Sequence, residues 1–116
     1  MRIHSFPIRE TGLLLFVKNY EKCVNFYSQK LGLKVRFRKP YLTTFNFGGG
    51  YLLIERGRRK NVLKDGVIRL NVRDVPRAIE AFQKKGVKIQ FHSYEWGDIG
   101  QFKDPDGNIL QLCKWK

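Results

Sequence analysis

The sequence is poor in the residues that most often carry covalent or metal chemistry. Its 116 residues include two histidines and two cysteines, and ten acidic residues stand against 23 lysines and arginines. Two cysteines are too few for a disulfide framework. Cys23 falls in a helical pattern and Cys113 in a strand pattern, both among apolar neighbours, which predicts buried free thiols and a reducing, cytoplasmic setting. No apolar run approaches the ~20 residues a membrane span requires, so no membrane partner is expected. The opening Met1-Arg2-Ile3-His4-Ser5 lacks the apolar stretch of an export signal.

What the chain has in excess is positive charge, +13 overall. Such a balance favours anionic partners, from nucleic acid to an acidic metabolite. Two runs are dense. Arg36-Phe37-Arg38-Lys39 reads as outward positions on a strand, and Arg56-Gly57-Arg58-Arg59-Lys60 as a connecting loop. A nucleic-acid surface built on Arg36, Arg38, Arg58, Arg59 and Lys60 is open but not favoured, because no candidate helix is itself basic. The apolar fraction of 42% and aromatic fraction of 14% suffice for one packed domain spanning 1–116.

Self-comparison then shows one unit written twice. The apolar run Leu13–Val17 is followed by Lys18-Asn19 and a helical pattern of Tyr20, Cys23, Val24, Tyr27 and Leu31. The run Val67–Val72 is followed by Arg73-Asp74 and a second helical pattern of Val75, Ala78, Ile79 and Phe82. Asn19 and Asp74 are candidate N-caps, Pro76 fits a first turn, and Gly32 and Gly86 stand at C′ positions. Strand-like segments follow each helix: 35–38, 41–47 and 51–55 in the first half; 87–92, 99–103 and 109–115 in the second. Asp104-Pro105-Asp106-Gly107-Asn108 predicts a tight hairpin turn. Each half is β-α-β-β-β, with modules at 10–55 and 67–116 and a basic connector at 56–66. The expected class is α+β, two βαβββ modules forming a mixed-sheet, half-open barrel. Pairing two such units, within one chain or by exchange in a dimer, encloses a cup.

Two stretches carry a family resemblance. Val17-Lys-Asn-Tyr-Glu-Lys-Cys-Val-Asn-Phe-Tyr27 with Leu31-Gly-Leu33 resembles the opening motif of the vicinal oxygen chelate superfamily. Phe102-Lys-Asp-Pro-Asp-Gly-Asn-Ile-Leu-Gln-Leu112 resembles its closing motif. That superfamily includes glyoxalase I, fosfomycin-resistance enzymes, extradiol dioxygenases and bleomycin-binding proteins. The resemblance implies the fold; it is weaker for activity, because the fold hosts several chemistries and some members with none. It also places the metalloenzymes' four ligand positions on Gly12, Glu55, Val67 and Gln111. A divalent ion needs about three good protein donors. Glycine and valine offer none, so neither a metal nor another cofactor is expected. His4 and His92 lie outside the matched positions and read as structural or surface residues.

Strand alternation sorts the faces. Leu13, Leu15, Val17, Ile68, Leu70, Val72, Leu110 and Leu112 should face the helices. Leu14, Phe16, Tyr51, Leu53, Glu55, Arg69, Asn71, Gln111, Cys113 and Trp115 should face the cup. Two readings of Glu55 are open: an ion pair with Arg69, which would supply the charge a metal supplies elsewhere, or a solvated strand end. Trp96, in the polar stretch Ser93–Asp98, is a candidate lid residue. The expected ligand-binding set is Phe16, Tyr51, Glu55, Arg69, Asn71, Trp96 and Gln111. The leading expectation is a small-molecule-binding homodimer of the bleomycin-resistance kind, taking an anionic or aromatic ligand. The alternatives are a glyoxalase-like lyase or dioxygenase with a displaced metal site (Glu55, Gln111 and a histidine) and a basic nucleic-acid-associated protein.

Overall fold

The computed structural model describes residues 7–57 and 66–116; Arg58, Arg59, Lys60 and His4 lie outside them. The first module is β1 (Gly12–Val17), α1 (Tyr20–Asn25, continuing as a π-helical turn over Phe26–Lys30), β2 (Val35–Arg38), β3 (Leu42–Phe47) and β4 (Gly50–Arg56). The second is β5 (Val67–Asn71), α2 (Val75–Lys84), β6 (Gln90–Tyr94), β7 (Gly97–Lys103) and β8 (Ile109–Trp115). The strand orders β1-β4-β3-β2 and β5-β8-β7-β6 are the same, each with one parallel pair and two antiparallel pairs. The result is an α+β fold of two mixed four-stranded sheets, with no closed barrel.

The helix ends follow the local rules in one module and depart from them in the other. In α2 the Asp74 carboxylate accepts from the Arg77 amide at 3.1 Å and proline follows in the first turn. Asn19 makes no such cap at α1. The amides of Lys18 and Asn19 instead donate to Asp106, from the β7–β8 turn, at 3.2 and 3.4 Å. Both helices end on a glycine of positive φ, Gly32 at 73° and Gly86 at 86°, as their C′ positions require.

All eight residues assigned to the helix side enter one core. Leu15, Val17, Ile68, Leu110 and Leu112 are buried, and Leu13, Leu70 and Val72 pack against them. That core joins the two modules: the Phe26 and Phe102 rings lie 6.2 Å apart across the boundary. Alternation therefore turns the opposite face of each sheet away from the shared core. That face stays open. Leu14 is 41% exposed, Val67 45% and Trp115 56%. The radius of gyration, 15.7 Å, exceeds the roughly 13 Å of a compact chain of this length, as an open arrangement requires.

Two segments differ from expectation. The strand expected over 87–92 lies at 90–94, because Val87 is needed in the core. The stretch 93–98 is not a lid loop. β6 and β7 pair through Tyr94 and Gly97, leaving Glu95 and Trp96 as a two-residue turn. Gly97 allows this because a Cβ there would come within 2.6 Å of the Lys114 carbonyl oxygen.

Candidate ligand site

The open face of the second module is organised in rows across the sheet. The registers align Gln101, Gln111 and Arg69 in one row, and Ile99, Cys113 and Asn71 in the next. The Arg69 Nε and Nη2 donate to Gln111 Oε1 at 3.2 and 2.9 Å, and Gln111 Nε2 donates to Gln101 Oε1 at 2.9 Å. One oxygen thus fixes the side-on edge of the guanidinium, and the amide relay fixes that oxygen.

The same guanidinium packs against a pair of touching indoles. Its Cζ is 5.6 Å from the Trp96 ring centre and 5.3 Å from that of Trp115, both cation–π distances. Trp96 stacks in parallel on Tyr94 and tilts against Trp115, each at 5.2 Å. The rings are 43% (Trp96), 46% (Tyr94) and 56% (Trp115) exposed. Ile99 and Cys113 share this face yet are buried.

The expected Arg69–Glu55 ion pair is not formed among the described residues. Arg69 turns its Nε–Nη2 edge to Gln111, its cross-strand neighbour. Glu55, at the end of β4, is half-buried and pairs in register with Phe16 and Leu42. Within the two modules Gly12 pairs with Tyr51 as Val67 pairs with Ile109, so Leu53 is level with Gln111 and Glu55 with Cys113.

The superfamily's metal can be tested against these residues, and they do not fit it. Gly12 lacks a donor, and the Tyr51 ring fills the space where a side chain would project: a Cβ at Gly12 would lie 2.0 Å from Tyr51 Cζ. Val67 carries no donor, the Gln111 oxygen is held by a cation, and Glu55 is the one carboxylate at a matched position. No group of three or more His, Cys, Asp or Glu side chains suited to an ion occurs among the described residues. His92 sits on the exposed edge strand β6, 6.1 Å from the Tyr94 ring.

The first module has an open face of its own. Phe16, Tyr51 and Leu53 are half-buried there beside exposed Leu14. Thr44, cross-strand to Leu53 and so on the same face, is buried with its hydroxyl unpaired. Sequence reasoning missed Thr44, Tyr94 and Gln101. Alternation alone places Gln101 on the cup face, but nothing local marks the amide relay. Asn71 is exposed on this face.

Three of the arginines are engaged elsewhere. Arg36 bonds Glu10, Asn46 and the Gly50 carbonyl, and its hydrogen bonds hold the Glu10 carboxyl below the ordinary carboxylate range. Arg38 and Arg56 both face Glu21, at 3.3 and 3.7 Å. Cys23 and Cys113 are free and buried. Burial, aided by the Asp104 and Asp106 carboxylates, pushes the Cys23 thiol up to about 12, far from a reactive thiolate. No helix among the described residues is long and apolar enough to cross a membrane.

Two βαβββ modules of the same strand order, each with an open sheet face, define the architecture, and comparison with known proteins gives its family. Residues 11–112 match the Glyoxalase/Bleomycin resistance protein/Dioxygenase superfamily, and the chain belongs to that superfamily. It is 26% identical over 119 residues to the uncharacterized protein YraH of Bacillus subtilis (strain 168), covering 86% of this chain and 93% of that one. Its fold is similar to that of TnmS3, an antibiotic binding protein from Streptomyces sp. CB03234, with a TM-score of 0.82, 21% identity, and coverage of 97% of this chain and 100% of that one. It is similar also to lactoylglutathione lyase from Agrobacterium tumefaciens, with a TM-score of 0.72, 19% identity and 92% of each chain covered.

Proposed function

We propose that this protein binds a flat, aromatic or anionic small molecule in the cup and does so without a divalent ion. The observation that carries this reading is the replacement of a donor set by a binding surface. At the positions matched to the superfamily's ligands, this chain has Gly12 beneath the Tyr51 ring, Val67, Gln111 bound to a guanidinium, and Glu55 as the single carboxylate. A pocket of aromatic walls and a few oriented polar groups recognises a ligand; it supplies no Lewis acid to activate one. The likeness to an antibiotic-binding protein supports the same direction. The cup takes its full form in a homodimer, in which the open face of one chain covers that of its partner. Phe16, Tyr51, Glu55, Arg69, Asn71, Trp96 and Gln111 then surround the ligand. A thermal-shift panel of flat aromatic compounds, followed by mass analysis of the recovered ligand, tests this. A compound that raises the melting temperature and returns chemically unchanged is the expected result. Turnover of the bound compound would overturn the reading.

A further inference from the structure

Resting on that reading, we infer that the second module's face is a carboxylate-recognition subsite for planar aromatic acids, with Arg69 as its specificity-determining residue. An arginine side chain has five N–H donors arranged along two fork edges. The Nε–Nη2 edge of Arg69 is committed to Gln111 Oε1. The end-on edge, Nη1 with the second hydrogen of Nη2, has no partner among the described residues. No carboxylate there neutralises the charge, since none of the ion pairs among the described residues involves Arg69.

An unspent end-on fork matches the two oxygens of a carboxylate in one plane. Its orientation is fixed before a ligand arrives, by the Gln101–Gln111 relay on one edge and by the Trp96–Trp115 pair packed against it. Such preorganisation lowers the entropic cost of binding. The indoles also set what the rest of the ligand must be. Trp96 and Trp115 lie against the charge while remaining about half exposed, and Tyr94 extends the stacked surface. A flat ring attached to the carboxylate finds an aromatic surface beside the fork, whereas a flexible polar acid gains only the charge. Alkyl ammonium and other cationic ligands meet a like charge.

The test compares three naphthalenes of one shape: 2-naphthoate, neutral 2-naphthamide and cationic 2-naphthylmethylammonium, read by tryptophan fluorescence and calorimetry. The wild-type protein should bind naphthoate at least tenfold more tightly than the amide, with no binding of the ammonium. Arg69→Gln should bring naphthoate down to the level of the amide. Lys22→Gln removes the same charge from an exposed site on α1, on the helix side of the sheets, and should leave the preference intact. Equal binding of naphthoate and amide by the wild type, or an equal loss in both variants, overturns the carboxylate subsite while the aromatic cup stands. Failure of all three probes to bind overturns the cup itself as a site for flat ligands. Because Arg69 is exposed, near-ultraviolet circular dichroism should confirm that Arg69→Gln is folded.

Discussion

Asp104→Asn should lower the melting temperature by on the order of 10 °C, a loss of roughly 2–4 kcal/mol. Asp104 is 5% exposed, and both its oxygens are fully used. Oδ1 accepts from the amides of Asp106 and Asn108 at 2.8 and 2.9 Å, and Oδ2 accepts from Asn108 Nδ2 at 2.7 Å and from the Tyr27 hydroxyl at 2.6 Å. An amide at this position turns a donor toward donors. The Tyr27 bond crosses from the first module's helix to the second module's turn, so the substitution loosens the seam as well as the hairpin. Tyr27→Phe should cost about 1–2 kcal/mol, and the double variant should lose less than the sum, because the two share one bond. Burial first, and Asp104 next, raise the Tyr27 hydroxyl above its ordinary value; burial does the same for Cys23. Both groups hold their protons more tightly folded than unfolded. Their contribution is therefore complete below about pH 9 and falls as pH rises past it. Urea titrations of wild type and Tyr27→Phe at pH 7 and 10.5 should show the smaller alkaline loss in the variant. A melting temperature for Asp104→Asn within 1 °C of wild type would contradict this account of the seam.

Leu14→Lys should convert a dimer into a monomer without unfolding it. Leu14 lies on the open face of the first sheet, 41% exposed in the single chain, and is accompanied by exposed Val67 and Trp115 on the second. Apolar surface of this kind marks an interaction face in a single-domain protein. Burying a lysine there without a partner costs several kilocalories per mole, and the chain's existing +13 charge adds repulsion. The dissociation constant should rise by at least about 100-fold. Light scattering should give twice 13.7 kDa for wild type and 13.7 kDa for the variant, with unchanged circular dichroism. A wild type that remains monomeric at tens of micromolar would contradict the dimeric cup.

The fold was legible in the sequence to the extent that it is governed by local periodicity. Alternation assigned Leu13 through Val17 and Val67 through Val72 to the correct faces, and Gly32 and Gly86 marked helix ends because positive φ is a local demand. What stayed hidden depends on residues distant in sequence. Asn19 looks like a cap, but the acceptor near the amides there is Asp106, 87 residues further along. Trp96 looks like a lid residue, but the tight packing of Gly97 against Lys114 pulls it into a turn beside Trp115. Arg69 and Glu55 were plausible partners by charge alone, whereas register gives Arg69 to Gln111. Glycine at position 12 revealed a missing donor; only the fold shows the Tyr51 ring in the space above it.

The central claim is that the cup recognises its ligand through Arg69 and aromatic rings, with no ion in between. Native mass spectrometry of the purified protein, mixed with zinc and 2-naphthoate and then treated with a chelator, tests it most directly. The account predicts a ligand adduct that survives chelation on a protein carrying no stoichiometric metal. A retained divalent ion whose removal abolishes the adduct would contradict it.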